Sequence, residues 1–198
     1  MLILASGSPV RTKILSDAGI LHRVVRSGAT EADVAHASPN DTAIGRAVLK
    51  AEWVAVRNPS EWVLGVDQVC YDQNDPTQQW GKPPSPSQHI QRLLDARGTQ
   101  HALTTGYALV RGDACHTGSC TSVVTFRGDT TRQEIEAYVA SGEGTQCAGG
   151  YAVEGRGGFL VEGIEGSLYN VLGLPIYAVW SMLRELGWRN DQRRLQDG

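Results

Sequence analysis

The sequence predicts an α/β fold built on a mixed, twisted sheet with flanking helices, and three observations carry that prediction. Short apolar runs bounded by Ser, Gly and Pro alternate with segments of helical spacing. Their alternation lacks the regular rhythm of a doubly wound sheet. Two β-rich runs, Leu103–Val110 and Thr121–Phe126, follow one another as antiparallel neighbours could.

Taken in order, Leu2–Ala5 is a short apolar strand that breaks at Ser6-Gly7-Ser8-Pro9. Apolar residues follow at Ile14, Leu15, Ala18 and Ile20; Ser8 is placed to cap a helix, Pro9 to occupy its first position, and Gly19 to end it in a left-handed turn. A second helix is expected over Asp41–Val56, with Asp41 or Thr42 as cap and Ala43, Ala47, Lys50, Ala51 and Val54 along related faces. Trp62–Val66 is a continuous apolar run suited to a buried strand, and it is expected to stop at Asp67. The Pro-rich stretch Lys82–Pro86 leads into a helix over Ser87–Ala96 that Gly98 closes, and the two β-rich runs follow. Thr131-x-x-Glu134 has the form of a capping box opening a helix to Ala140, with Gly142 as its stop. Beyond a glycine-rich region, Phe159–Ile164 offers a further strand, and Pro175 starts a last helix ending before Gly187. Residues 1–188 read as one domain and 189–198 as a polar, solvated tail.

Bulk properties exclude several classes. In 198 residues, 41% hydrophobic content is enough for a buried core. A net charge of -3 and a pI near 5.9 supply no general field for nucleic acid, so any anion site must be local. The apolar N-terminal run is too short for a signal peptide or membrane span, which makes the cytoplasm the expected compartment. Cys70, Cys115, Cys120 and Cys147 include no C-x-x-C pair, and the five histidines no H-x-x-x-H pair, so a zinc centre is not expected.

The remaining polar residues suit phosphate chemistry. Ser6-Gly7-Ser8-Pro9-Val10-Arg11 joins hydroxyls, a helix N-terminus and an arginine, although an ordinary capped helix with a surface arginine reads equally well from this segment alone. Asp67, at the carboxyl end of a buried strand, is the best candidate metal ligand or general base, against the alternative of a turn-forming aspartate. Lys50 and Lys82 could neutralise phosphate; alone, each reads as a surface lysine. Residues 147–158 are too rich in glycine for an element interior, which fits a binding loop or a turn-rich connection.

Together and in order, these segments resemble the Maf family of nucleotide pyrophosphatases over nearly the whole chain. Leu4-Ala5-Ser6-Gly7-Ser8-Pro9-Val10-Arg11 is similar to the family's L-A-S-x-S-P-x-R signature, and Gly65-Val66-Asp67-Gln68 to its G-x-D-[TQ]. Gly81-Lys82-Pro83 matches G-K-P, Thr105-Gly106-Tyr107-Ala108-Leu109 resembles T-G-x-A-L, and Ala148-Gly149-Gly150-Tyr151 resembles the A-G-x-[YF] loop. The segment from Gly166-Ser167 to Asn170-Val171-Leu172-Gly173-Leu174-Pro175 completes the series.

This resemblance implies two lobes around a central cleft, as in inosine triphosphate pyrophosphatase-like folds, a homodimer, and cleavage of a nucleoside triphosphate between its α and β phosphates. It also implies roles: Asp67 as catalytic acid, Glu31 and Asp67 as ligands of Mg²⁺ or Mn²⁺, Arg11, Lys50 and Lys82 as phosphate contacts, and Ser6 and Ser8 in the phosphate loop. Where the family usually has two adjacent acids, this chain has Thr30-Glu31. Gln68 and Glu154-Gly155 are similar to the branch that hydrolyses 7-methyl-GTP and are expected to face the base, whereas a branch reading D-T and Q-G takes dTTP and UTP. Val10 departs from the first branch's tryptophan and cannot stack on a cationic base. The competing expectation is a nucleotide-binding regulator of cell division without turnover, for which an acid beside phosphate is a poor fit.

Overall fold

The computed structural model describes residues 1–31, 34 and 38–189. Asp33 and His36, and the expected polar tail beyond Arg189, lie outside the described residues.

Seven strands form one mixed sheet, six of them side by side and the seventh, a short strand, on an edge left open. β1 (Leu2–Leu4) pairs in parallel with β2 (His22–Val24) on one side and β3 (Trp62–Asp72) on the other. From β3 outward the sheet is antiparallel, through β5 (Gln100–Arg111), β6 (Ala114–Phe126) and β7 (Val161–Glu165). The two-residue strand β4 (Gln79–Trp80) pairs antiparallel with Cys70 and Tyr71 of β3. Mixed pairing follows from chain connectivity: helical crossovers serve the parallel strands and a tight turn joins β5 to β6.

The helices begin where local chemistry dictates. In α1 (Pro9–Asp17), α2 (Pro39–Ala55) and α3 (Pro86–Asp95), a serine hydroxyl accepts from a backbone N–H of the first turn and proline follows it: Ser8-Pro9, Ser38-Pro39 and Ser85-Pro86. The expected starts of α2 at Asp41 and of α3 at Ser87 are therefore corrected to the prolines. Asp41 instead sits in the first turn of α2, where its charge favours the helix dipole. α4 (Arg132–Ala140) carries the expected capping box between Thr131 and Glu134. Gly19, Gly98, Gly142 and Gly187 have positive φ just past their helices. The expected strand from Phe159 is corrected, because Arg156–Leu160 form a 3-10 turn and extended structure begins only at Val161.

Alternation along β3 separates two faces. Leu64 and Val66 join Leu2, Leu4, Tyr107 and Leu109 in a core with α1 and the last helix, α6 (Ile176–Glu185), while Cys70 and Leu103 meet α3 and α4 farther along that face. Val63 faces the other way, into a core of Ile3, Ala5, Ala47, Ala51, Val54, Ala108 and Val110 beneath α2. α2 approaches the sheet unusually closely. A Cβ on Gly65 would stand 2.0 Å from the Ala47 carbonyl oxygen, and one on Gly106 would stand 2.3 Å from Ala43 C. Only glycine lets the helix backbone lie on the strands at both points.

Candidate functional site

The strand that carries Asp67 does not stop there. β3 runs on to Asp72, with Asp67 opposite Gly106 of β5 in the ladder. The expectation of a strand-terminal carboxylate is thus corrected. The ten-pair register with β5 keeps the chain extended through Asp67 and Gln68, although their polarity interrupts the apolar run.

Asp67 is nonetheless at an end, that of the neighbouring strand. β1 pairs with β3 up to Leu64, β4 pairs from Cys70, and residues 65–69 keep one open edge between them. At this point β1 leads through α1 to β2 on one side, while β3 leads toward β5 on the other. Such a change of direction opens a crevice at the carboxyl end of a parallel strand. Ser6 enters it directly from β1, and the Ser8 N–H donates to Ser6 Oγ at 3.3 Å.

Cations converge on the open edge. Arg11, in the first turn of α1, donates from Nη1 to the Val66 carbonyl at 2.9 Å and to Ser6 Oγ at 3.1 Å. Its Nε donates to the Gly173 carbonyl at 2.8 Å. Burial lowers the pKa of this guanidinium, and the negative charges of Asp67 and Glu31 oppose that shift. From α2, Lys50 Nζ donates to Asp67 Oδ1 at 2.6 Å and pairs with Glu31 at 3.1 Å, so one ammonium bridges both candidate carboxylates. Arg46 is one turn earlier on the same helix face, its Nη1 3.8 Å from Asp67 Oδ2. Asp67 is 7% exposed, and its Oδ2 has no hydrogen-bond donor among the described residues.

The sequence reading did not single out Arg46. Its four-residue spacing from Lys50 was the available signal. It also left Asn170 without a separate role. Asn170 is fully buried on α5 (Leu168–Val171), and its Nδ2 donates to the Leu103 carbonyl at 2.9 Å and Ser122 Oγ at 3.0 Å. Its backbone carbonyl accepts from Gln68 Nε2 at 2.7 Å. Gly173, whose φ of 92° suits glycine, follows directly and presents its carbonyl to Arg11. The segment from Asn170 to Gly173 therefore braces the arginine against the sheet.

The expected base-facing residues fall in different surroundings. Gln68 points to the face opposite Asp67, with its amide nitrogen spent on Asn170 and on Thr105 Oγ1 at 3.1 Å. Val10 packs, half-buried, against the α1–α6 core. Glu154 is exposed on the glycine-rich loop. That loop is held: Tyr138 accepts from the Ala152 N–H at 3.1 Å, Glu143 accepts from the Gly157 N–H at 2.9 Å, and the Gly150 carbonyl contacts His89 Nε2. Lys82 reaches it through Gln146 Oε1 at 3.1 Å. Because β4 runs antiparallel to β3 from Tyr71 toward Cys70, the chain beyond Trp80 heads back along the open edge. Lys82 follows that strand as an exposed side chain whose partner is Gln146, and among the described residues it makes no hydrogen bond or ion pair with Asp67, Arg11 or Ser6.

Burial, then the charges of Glu154 and Glu143, raise the Cys147 thiol to about 11, and burial also pushes Cys70 upward. Neither thiol is poised as a nucleophile. Among the described residues no cluster of three or more His, Cys, Asp or Glu side chains gathers, and no helix is long and apolar enough to cross a membrane.

The family model described as Maf-like protein matches residues 1–186. A nucleoside triphosphate pyrophosphatase of Synechococcus sp. (strain CC9605) is 40% identical over 180 residues, covering 88% of this chain and 96% of that protein. A dTTP/UTP pyrophosphatase of Bacillus cereus (strain AH820) is 37% identical over 186 residues, covering 93% of each. Among solved structures, the Staphylococcus aureus Ham1 protein matches with a TM-score of 0.44 at 14% identity, over 64% of this chain and 70% of that one.

Proposed function

The chain belongs to the Maf family, and from that premise we propose that it is a nucleoside triphosphate pyrophosphatase, hydrolysing its substrate to the monophosphate and pyrophosphate. One observation carries the reading. Asp67 Oδ2 is a buried carboxylate oxygen with no hydrogen-bond donor among the described residues, at the open edge of β3 among Arg11, Arg46 and Lys50. An unpaired buried acceptor is costly unless a ligand completes it.

In this reading Ser6, the N-terminus of α1 and Arg11 receive the triphosphate from the β1 side, with Lys82 approaching from the β4 side. Lys50 fixes Asp67 Oδ1 and leaves Oδ2 to accept the proton of an attacking water. As water's oxygen bonds to the α-phosphorus, the bridging bond to the β-phosphate breaks and pyrophosphate leaves with the electron pair. The surrounding donors meet the charge that accumulates on the phosphate oxygens.

Asp67 and Glu31 offer oxygen donors that already converge on one cationic atom, Lys50 Nζ. With Oδ2 unpaired, that set fits a hard divalent ion, Mg²⁺ or Mn²⁺, completed by substrate phosphates. When bound, such an ion would withdraw charge from the phosphate oxygens.

Two base preferences have support. The relatives named dTTP/UTP pyrophosphatase favour a pyrimidine. Glu154, a carboxylate acceptor on the loop beside Lys82 and Cys147, favours the donor edge of a 7-methylguanine. Gln68 adds no support to the second reading, because its amide is occupied by α5.

Pyrophosphate release with Mg²⁺ across UTP, dTTP, GTP and 7-methyl-GTP tests both levels of the proposal. Asp67→Asn should lower kcat by about a hundred- to ten-thousand-fold. Full activity in that variant removes the assignment of Asp67. Tight nucleotide binding by the wild type without pyrophosphate release replaces turnover by binding.

A further inference from the structure

Arg46 is a charged side chain near the candidate site that the proposed mechanism leaves without a task. It projects from α2 one turn before Lys50 and is three-quarters buried, with 24% of its side chain exposed. Its Nε donates to the Val34 carbonyl at 2.9 Å, which fixes the plane of the guanidinium. Its Nη1 stands 3.8 Å from Asp67 Oδ2, inside ion-pair range but too far for a hydrogen bond. The two terminal nitrogens donate to no described residue. A guanidinium held by one nitrogen and left unspent on the other two resembles a preset fork.

The charges around the open edge point the same way. Among the described residues, the acids paired or coupled with Arg11, Lys50 and Arg46 are Asp67 and Glu31, and Lys50 already serves both carboxylates. Asp67 therefore does not need Arg46 for a hydrogen bond. Its negative charge holds the guanidinium beside the crevice without using its donors.

We infer that Arg46 is a further phosphate-binding residue, which donates its terminal N–H groups to the pyrophosphate part of the triphosphate. This inference rests on the pyrophosphatase reading, and it adds a contact that a purely structural arginine would not make. The geometry predicts a requirement for the planar fork, so lysine should replace arginine only in part.

The test is equilibrium binding of inorganic pyrophosphate in the presence of Mg²⁺, measured by calorimetry on the intact chain. Arg46→Ala should weaken the dissociation constant by about ten- to a hundred-fold, the loss of one or two charge-assisted hydrogen bonds. Arg46→Lys should recover part of that loss. Should Arg46→Ala lose its fold, Arg46→Gln, which keeps much of the stem and removes the charge, should weaken binding similarly. Unchanged pyrophosphate affinity in folded Arg46→Ala or Arg46→Gln overturns the inference, even if nucleotide hydrolysis proceeds in the wild type. If the wild type hydrolyses no nucleotide yet binds pyrophosphate through Arg46, the pyrophosphatase reading falls and the phosphate contact stands.

Discussion

At the scale of single residues, burial assigns different work to chemically similar groups. Asp67 is buried and keeps an open lone pair, whereas His101 is fully buried and serves packing. The His101 ring meets Phe126, Tyr151 and Trp80, its Nε2 lies 2.8 Å from the Tyr151 hydroxyl, and its Nδ1 has no partner among the described residues. Burial depresses its pKa from 6.5 to about 4, with the charge of Asp72 opposing the shift. The unfolded chain therefore binds this proton more readily than the folded one. Above about pH 6.5 the ring is neutral in both states and contributes no acid penalty; as pH falls toward about 4, stability falls by roughly 3 kcal/mol in total. Denaturant melts at pH 7 and pH 5 should show this decline in the wild type and a smaller one in His101→Gln. An equal decline in both proteins would place the acid sensitivity elsewhere.

At the scale of elements, α2 is positioned by the absence of two side chains. Gly65 and Gly106 let its backbone touch the sheet, which brings Lys50 and Arg46 to Asp67 directly across from Gly106. Gly106→Ala would place a methyl group 2.3 Å from Ala43 C, so the helix must move. The expected cost is about 3 kcal/mol or more, accompanied by loss of pyrophosphate release as the cations leave Asp67. Thr131→Ala is the contrast, since it removes the cap of α4 on the other face and should cost about 1 kcal/mol without changing kcat/KM. Turnover that survives in Gly106→Ala at full rate would mean that the spacing of α2 does not set the site. The same elements explain what sequence could reveal. Caps are local, so the starts of α1 and α4 were legible, and the Ser-Pro pairs at residues 38 and 85 held the correct signal for α2 and α3. The extension of β3 past Asp67, the strands β2 and β4, and the brace from α5 were not, because their neighbours in space, rather than their own composition, make them extended or helical there.

At the scale of the whole molecule, a chain of net charge -3 concentrates cations at the break between its parallel and antiparallel strands. The candidate cluster was legible as a set of residue types, Ser6, Arg11, Glu31, Lys50 and Asp67, but which of them touch depended on sheet order. That arrangement separates folding from the proposed use of a metal. Lys50 bridges Asp67 and Glu31 at 2.6 and 3.1 Å, so an ammonium of the chain itself offsets their mutual repulsion. Ligands stabilise a protein only in proportion to their binding to the folded state. EDTA should therefore abolish pyrophosphate release while shifting the nucleotide-free melting temperature by less than about 2 °C, since the Lys50 ammonium offsets the charges of the acid pair. Adding Mg²⁺ together with pyrophosphate should raise the melting temperature more than either alone, because in the proposed site phosphate oxygens would complete a coordination that Asp67 and Glu31 would begin. A large fall in melting temperature with EDTA would mean that a divalent ion holds the fold itself, and that Lys50 does not relieve the acid pair.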